Sequence, residues 1–190
     1  MTVLLLGLVL FMAVHSVRIV ADDWRTAQIA RLGLVPWKGI YSLISVVGLV
    51  LIVWGYGETR GGVELWQGPV WLRHVSSLLM LVSFILVAAA YIPRNRIQTA
   101  VGHPMTAGVK VWALAHLMTN TRPGDLVLFG ALLVWAVLVF RAARRRDRAS
   151  GRRETAGSWP MTAIATVVGV AAWAVFARFL HPMLIGVPVV

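Results

Sequence analysis

The sequence predicts an all-α integral membrane protein, a bundle of about six transmembrane helices in a single domain over residues 1–190. Three observations carry that expectation. Hydrophobic residues make up 59% of the 190 and charged residues only 13%, where a soluble domain carries about a quarter. The apolar residues gather into runs near the roughly 20 needed to cross a bilayer as a helix. The basic residues collect in short segments between those runs, and alternate segments hold most of the 18 Lys and Arg.

The first run, Met1 to Ala21, has no basic residue ahead of its apolar part and no small-x-small cleavage site, so it reads as a retained helix. Loop one, Asp22 to Pro36, carries Arg25 and Arg31 and is flanked by Arg18 and Lys38. The second run is Trp37 to Gly57, and loop two, Glu58 to Val70, is Gly-rich with mixed charge. The third run is Trp71 to Ile92. Loop three holds Arg94, Arg96 and His103. The fourth run, Pro104 to Thr119, is short: its length as a helix is about 24 Å, against a hydrocarbon core of about 30 Å. In loop four, Thr121 to Asp125, the Arg-Pro-Gly-Asp sequence predicts a tight turn. The fifth run is Leu126 to Phe140. Loop five, Arg141 to Ser158, contains Arg141, Arg144, Arg145, Arg146, Arg148, Arg152 and Arg153, and the sixth run is Met161 to Phe179.

Basic residues favour cytoplasmic loops. Loops one, three and five are therefore expected inside, with both termini on the non-cytoplasmic side. If the fourth run did not cross, loop five would carry its arginines outward, so the count of six is preferred. The net charge of +11 is explained by orientation, and the expected partner is the lipid bilayer rather than nucleic acid. Trp37, Trp54, Trp66, Trp71 and Trp159 lie near run ends, where indoles anchor at the membrane interface. The arginine loop fixes topology, with anionic lipid head groups as a second possible role.

There are no cysteines, which excludes disulfides and thiolate chemistry. All seven acids lie in loops or at their edges, so a carboxylate relay, a carboxylate-rich metal site and a Ser–His–acid triad are hard to assemble within the bilayer. Imidazole is the main intramembrane chemistry left, as ligand or proton shuttle. The histidines are His15, His74, His103, His116 and His181. Ionisable residues inside a membrane chain are costly and mark candidate sites. The stretch Gly102 to Asn120 is the densest of these, with His103, Lys110 and His116 among apolar residues.

On a helix, His15 shares a face with Phe11, Met12, Arg18 and Ile19. An apolar wall, an imidazole and a cation one turn on suit a haem, with Arg18 meeting a propionate. His116 has Trp112, Ala113 and Asn120 as helix neighbours, and Trp112 can stack on a flat cofactor. The competing role for both histidines is hydrogen-bonding glue between helices. The predicted orientation sets His15 toward the cytoplasmic end of its run and His116 toward the opposite end of its own. A shared iron therefore requires one of those helices to sit deeper than its boundaries suggest; the expectation is that the two imidazoles face a common cavity. His74, next to Arg73, reads as interfacial. His103-Pro104-Met105-x-x-Gly108-Val109 is echoed by His181-Pro182-Met183-x-x-Gly186-Val187, which marks His181 as a further residue to follow.

Four segments carry a resemblance. They are Val14-His15-Ser16-Val17-Arg18-Ile19, Trp37-Lys38-Gly39-x-Tyr41-Ser42-Leu43, Trp71-Leu72-Arg73-His74, and Gly102-His103-Pro104 through Trp112-Ala113-Leu114-Ala115-His116-Leu117. Together they resemble the NnrU family over nearly the whole chain. That resemblance implies a multi-pass protein of the bacterial inner membrane linked to denitrification, with nitrite and nitric oxide chemistry nearby. The family is similar to the 15-cis-zeta-carotene isomerases, which require haem b for cis–trans isomerisation of a polyene. The likeness implies His15 and His116 as metal (haem iron) ligands, and His103 matches a further family histidine; beside the Arg18 and Trp112 of the helix reading, His74 and His103 are expected to shape the cofactor pocket. The isomerases' cysteine, a ligand in one redox state, falls at Ala113, so haem binding is implied without that ligand switch. Residues 103 to 148 also resemble the core of isoprenylcysteine methyltransferases, which bind S-adenosylmethionine, but the paired glutamates of that family are missing. The function classes left by these likenesses are a haem-dependent isomerase or redox protein, a non-catalytic accessory or sensor, and a membrane methyltransferase.

Overall fold

A computed structural model describes residues 1–151, 156–187 and 189. Among them the ordered elements are helical, joined by one isolated bridge between Asn95 and Ser158. Five helical stretches are long and apolar enough to cross a membrane: Thr2–Val20, Leu34–Thr59, Trp71–Tyr91, Pro123–Ala149 and Trp159–Ile185. The protein is an all-α, multi-pass membrane protein. The chain forms two compact units, residues 1–67 with 121–131, and residues 68–120 with 132–190.

In the first unit, α1 (Thr2–Val20) packs along α3 (Leu34–Thr59). Lipid tails are as apolar as leucine, so close van der Waals approach must hold such a pair together. Glycine provides it. A Cβ at Gly7 would lie 2.6 Å from Ile52 N, one at Gly48 2.9 Å from Phe11 N, and one at Gly55 2.2 Å from Leu4 N. Leu4, Leu8 and Ile52 are buried around these crossings.

Loop one is not a loop for most of its length. Residues Asp22–Leu32 form α2, with Asp22 and Asp23 in its first turn and Arg31 in its last, an arrangement the helix dipole favours at both ends. It has no buried residue, so it lacks the apolar stripe by which a helix is recognised in sequence. Gly33, at φ 84°, separates it from α3.

Arg-Pro-Gly-Asp is likewise not a closed turn. Pro123 opens α7 (Pro123–Ala149), a position where its missing N–H costs nothing. The Asp125 carboxylate accepts from the Arg122 N–H at 3.0 Å and from the Tyr56 hydroxyl of α3 at 2.8 Å. Asp125 is buried, and Gly124 lies so close to Thr59 that a Cβ there would meet Oγ1 at 2.1 Å.

In the second unit, α4 (Trp71–Tyr91) packs against both α6 (Pro104–Thr119) and α8 (Trp159–Val175). Two buried hydroxyls tie α4 to α6: Ser76 donates to the Ala115 carbonyl at 2.8 Å and Ser83 to the Gly108 carbonyl at 2.9 Å. Gly169 of α8 lets the Ile85 backbone approach, with a Cβ there only 2.5 Å from Ile85 Cα. Asn95 is fully buried at the start of the short α5 (Arg96–Val101). Its Oδ1 accepts from the Gln98 N–H at 2.7 Å, and its amide donates to the carbonyls of Ala89, at 2.8 Å, and Ile92. The α6 boundaries are those the sequence predicts, Pro104 and Thr119.

The fifth and sixth runs differ from expectation. Instead of ending at Phe140, α7 continues to Ala149 through five of the loop-five arginines. Ala and Arg are strong helix formers, so the fall in hydropathy marks the end of the apolar segment, not of the helix. Arg152 and Arg153 lie outside the described residues. The sixth run is not one regular helix: α8 passes at Phe176–Leu180 into a single wide turn, in which the His181 N–H bonds to the Phe176 carbonyl, and then into α9 (His181–Ile185).

Candidate functional site

His15 and His116 are built alike. On α1, the His15 Nδ1–H donates to the Phe11 carbonyl one turn earlier, at 2.7 Å. On α6, the His116 Nδ1–H donates to the Trp112 carbonyl one turn earlier, at 2.9 Å. A carbonyl only accepts, so Nδ1 must carry the proton in each. In the neutral ring the lone pair then sits on Nε2. Each ring also lies against the aromatic side chain of the residue that tethers it. Phe11 stacks on His15 at 4.0 Å between centroids, and Trp112 meets His116 at 4.9 Å and 46°. Tyr41 of α3 borders His15 on another side, at 5.1 Å. Both histidines are half-buried.

This local design has a physical origin. Side chains on a helix lean toward its N-terminus, so a histidine readily reaches the carbonyl four residues back. An aromatic at that position then restricts ring rotation. The result is a fixed tautomer and a fixed ring plane, the condition under which imidazole serves as a metal ligand. His15 belongs to the first unit and His116 to the second.

A family model described as "NnrU protein" matches residues 3–189. The chain belongs to the NnrU family. No curated protein and no solved structure matches it. All four segments that carry the resemblance fall inside the matched span.

The remaining predicted site residues of this NnrU-family chain are distributed unevenly. Arg18 lies in the last turn of α1 and is exposed. His74 is exposed in the first turn of α4. Trp112 is half-buried beside His116. Ala113, at the position of the isomerases' cysteine, is fully buried. His181 is tethered through Nδ1 to the Val187 carbonyl at 2.7 Å and stands edge-on to Phe176.

His103 is engaged differently. Its Nε2 is 2.7 Å from Asp147 Oδ2, forming an ion pair when the ring is protonated. Its ring stands edge-on to Phe140, over whose face Lys110 Nζ lies at 3.5 Å. Asp147 was invisible to sequence reasoning because it sits among arginines in what reads as a solvated loop, 44 residues from its partner. Asp125 was missed for a similar reason: it stands at an apparent turn, yet the helix that begins there buries it. Among the described residues no group of three or more His, Cys, Asp and Glu is placed to hold a metal ion.

Proposed function

We propose that this NnrU-family membrane protein binds haem b, which the Nε2 atoms of His15 and His116 would hold and the Arg18 cation would help to neutralise. The observation that supports this most is the matched construction of the two histidines, each with Nδ1 donated to the carbonyl one turn back and an aromatic ring against its face. Hydrogen-bonding glue between helices would not require the same tautomer and the same aromatic backing twice. The donor set also fits the group: neutral imidazole suits iron, and a backbone acceptor on the other nitrogen orients the ring and raises its basicity. When bound, the haem would supply a one-electron or Lewis-acid centre. The chain's part is to orient the two imidazoles, back them with Phe11 and Trp112, and place Arg18 nearby. With Ala113 in place of a sulfur ligand, the reading favours a fixed pair of imidazoles over a redox-gated exchange.

The reading extends to six crossings, with α6 as the short one, both termini outward, and residence in the bacterial inner membrane. The reaction class is polyene isomerisation or electron transfer linked to nitrogen-oxide respiration. An absorption spectrum of the detergent-purified protein tests the core of it. A Soret band is expected in the parent, with altered position and weaker retention in His15→Ala and in His116→Ala, and no band in the double variant. An unchanged band in either single variant removes that histidine as a ligand. No band in the parent, together with tight binding of S-adenosylmethionine, would replace this reading with a methyltransferase. Haem binding without turnover of nitrogen oxides or cis-polyenes would place the protein as an accessory or sensor.

A further inference from the structure

The cytoplasm-signalling arginines do more than their topological role requires. Arg141, Arg144, Arg145 and Arg148 follow the i, i+3, i+4, i+7 spacing of one helical face, and with Phe140 they line a concavity of about 360 Å³. Like charges at these spacings repel one another along a helix. An orientation signal needs positive charge somewhere in the segment; it does not need that charge concentrated on one side. Nor does it need arginine, yet every basic residue between positions 141 and 153 is arginine and none is lysine. The planar guanidinium fork matches phosphate oxygens in pairs, which an ammonium cannot do.

One arginine is partly enclosed. Arg144 is half-buried and lies over the backbone of Gly102. A Cβ at Gly102 would be 2.6 Å from Arg144 Nη1, and the glycine's φ of 76° suits no other residue well. The nearest acid on the same stretch, Asp147, has Oδ2 bonded to His103. Lys110, over the face of Phe140, adds another cation beside the wall of the concavity.

The position on the helix points to the ligand. About 20 residues of helix cross the hydrocarbon, so a helix that starts at Pro123 leaves it close to Arg141 and Arg144. The arginine face therefore begins at the depth of lipid phosphates. We infer that this face of α7 is a binding site for a phosphate-bearing anion, supplied by a phospholipid head group or by a soluble phosphate compound. The site is separate from His15 and His116 and does not depend on haem.

The test uses the intact protein with two probes. Native mass spectrometry reads retention of phosphatidylglycerol against phosphatidylcholine, and titration calorimetry in neutral detergent reads binding of pyrophosphate. Arg144→Gln is expected to weaken binding about tenfold or more, as loss of a forked, charge-assisted contact does. Arg146→Gln removes the same charge from the same helix but from outside the concavity, and is expected to leave binding within about twofold. Arg145→Gln, on an exposed side chain, supplies the same readout if loss of Arg144 disturbs folding. Selective retention of phosphatidylglycerol with this pattern identifies the lipid source, and pyrophosphate binding with this pattern identifies a soluble one. Equal losses in Arg144→Gln, Arg145→Gln and Arg146→Gln, or binding of neither probe, would overturn the inference.

Discussion

Replacing Gly55 by alanine should part α1 from α3. The added methyl carbon would sit 2.2 Å from Leu4 N and 2.6 Å from Leu4 Cα, both backbone atoms, where ordinary contact begins near 3.4 Å. No rotamer change relieves a clash with backbone, so the helices must separate locally by about 1 Å, a gap at which paired atoms forfeit a quarter to a half of their dispersion well. Leu4 and Ile52 are both buried near this crossing. The expected cost is about 2 kcal/mol, within the 1–3 kcal/mol typical of overpacking. Gly57 is the internal control. It is on the same helix with open space around its Cβ position, so Gly57→Ala should be neutral or stabilising by up to about 1 kcal/mol through helix propensity. Reversible unfolding in mixed micelles, titrated with sodium dodecyl sulfate and followed by circular dichroism, measures both. If Gly55→Ala and Gly57→Ala unfold within about 0.5 kcal/mol of each other, the close-approach account of this helix pair is wrong.

Other substitutions probe the rest of the framework by the same unfolding assay. Asn95→Ala should cost about 2–4 kcal/mol, because it strips one buried backbone N–H donor and two carbonyl acceptors of partners; a cost below about 1 kcal/mol would show that water reaches the site. Ser76→Ala and Ser83→Ala should each cost about 0.6 kcal/mol, the mean for hydrogen bonds between membrane helices, and their effects should add if the α4–α6 contact is rigid. A double-mutant cycle on His103→Gln and Asp147→Asn at neutral pH should give a coupling of about 1 kcal/mol. A coupling near zero would demote the 2.7 Å pair to an incidental contact.

Hydropathy reads length and apolar content, and those were enough for the membrane class, for α3, α4 and α6, and for the short α6 in particular. It reads nothing about helices without an apolar stripe, which is why α2 looked like a loop. It also marks the edge of the apolar segment rather than the end of a helix, which is why α7 appeared to stop at Phe140. The histidine tethers were half legible. Phe11 and Trp112 stand one turn before His15 and His116, so the stacking partners were on the page, while the carbonyl acceptors belong to the backbone and leave no trace in residue identity. The His103–Asp147 pair was not legible at all, since the residues meet through two helices and 44 positions of chain. The same holds for Tyr56 with Asp125, whose burial follows from where Pro123 starts a helix.

The wide turn at Phe176–Leu180 holds one more residue than an ordinary helical turn would. Each residue turns a regular α-helix by about 100°, so one surplus residue in such a helix would swing everything after it; the wide turn takes up that residue within a single revolution, and removing it would restore an ordinary turn with Trp159–Val175 and His181 on nearly their present bearings. Loss of one residue at this point is thus absorbed where it occurs, and neither the span before it nor the carboxyl-terminal segment after it is redirected.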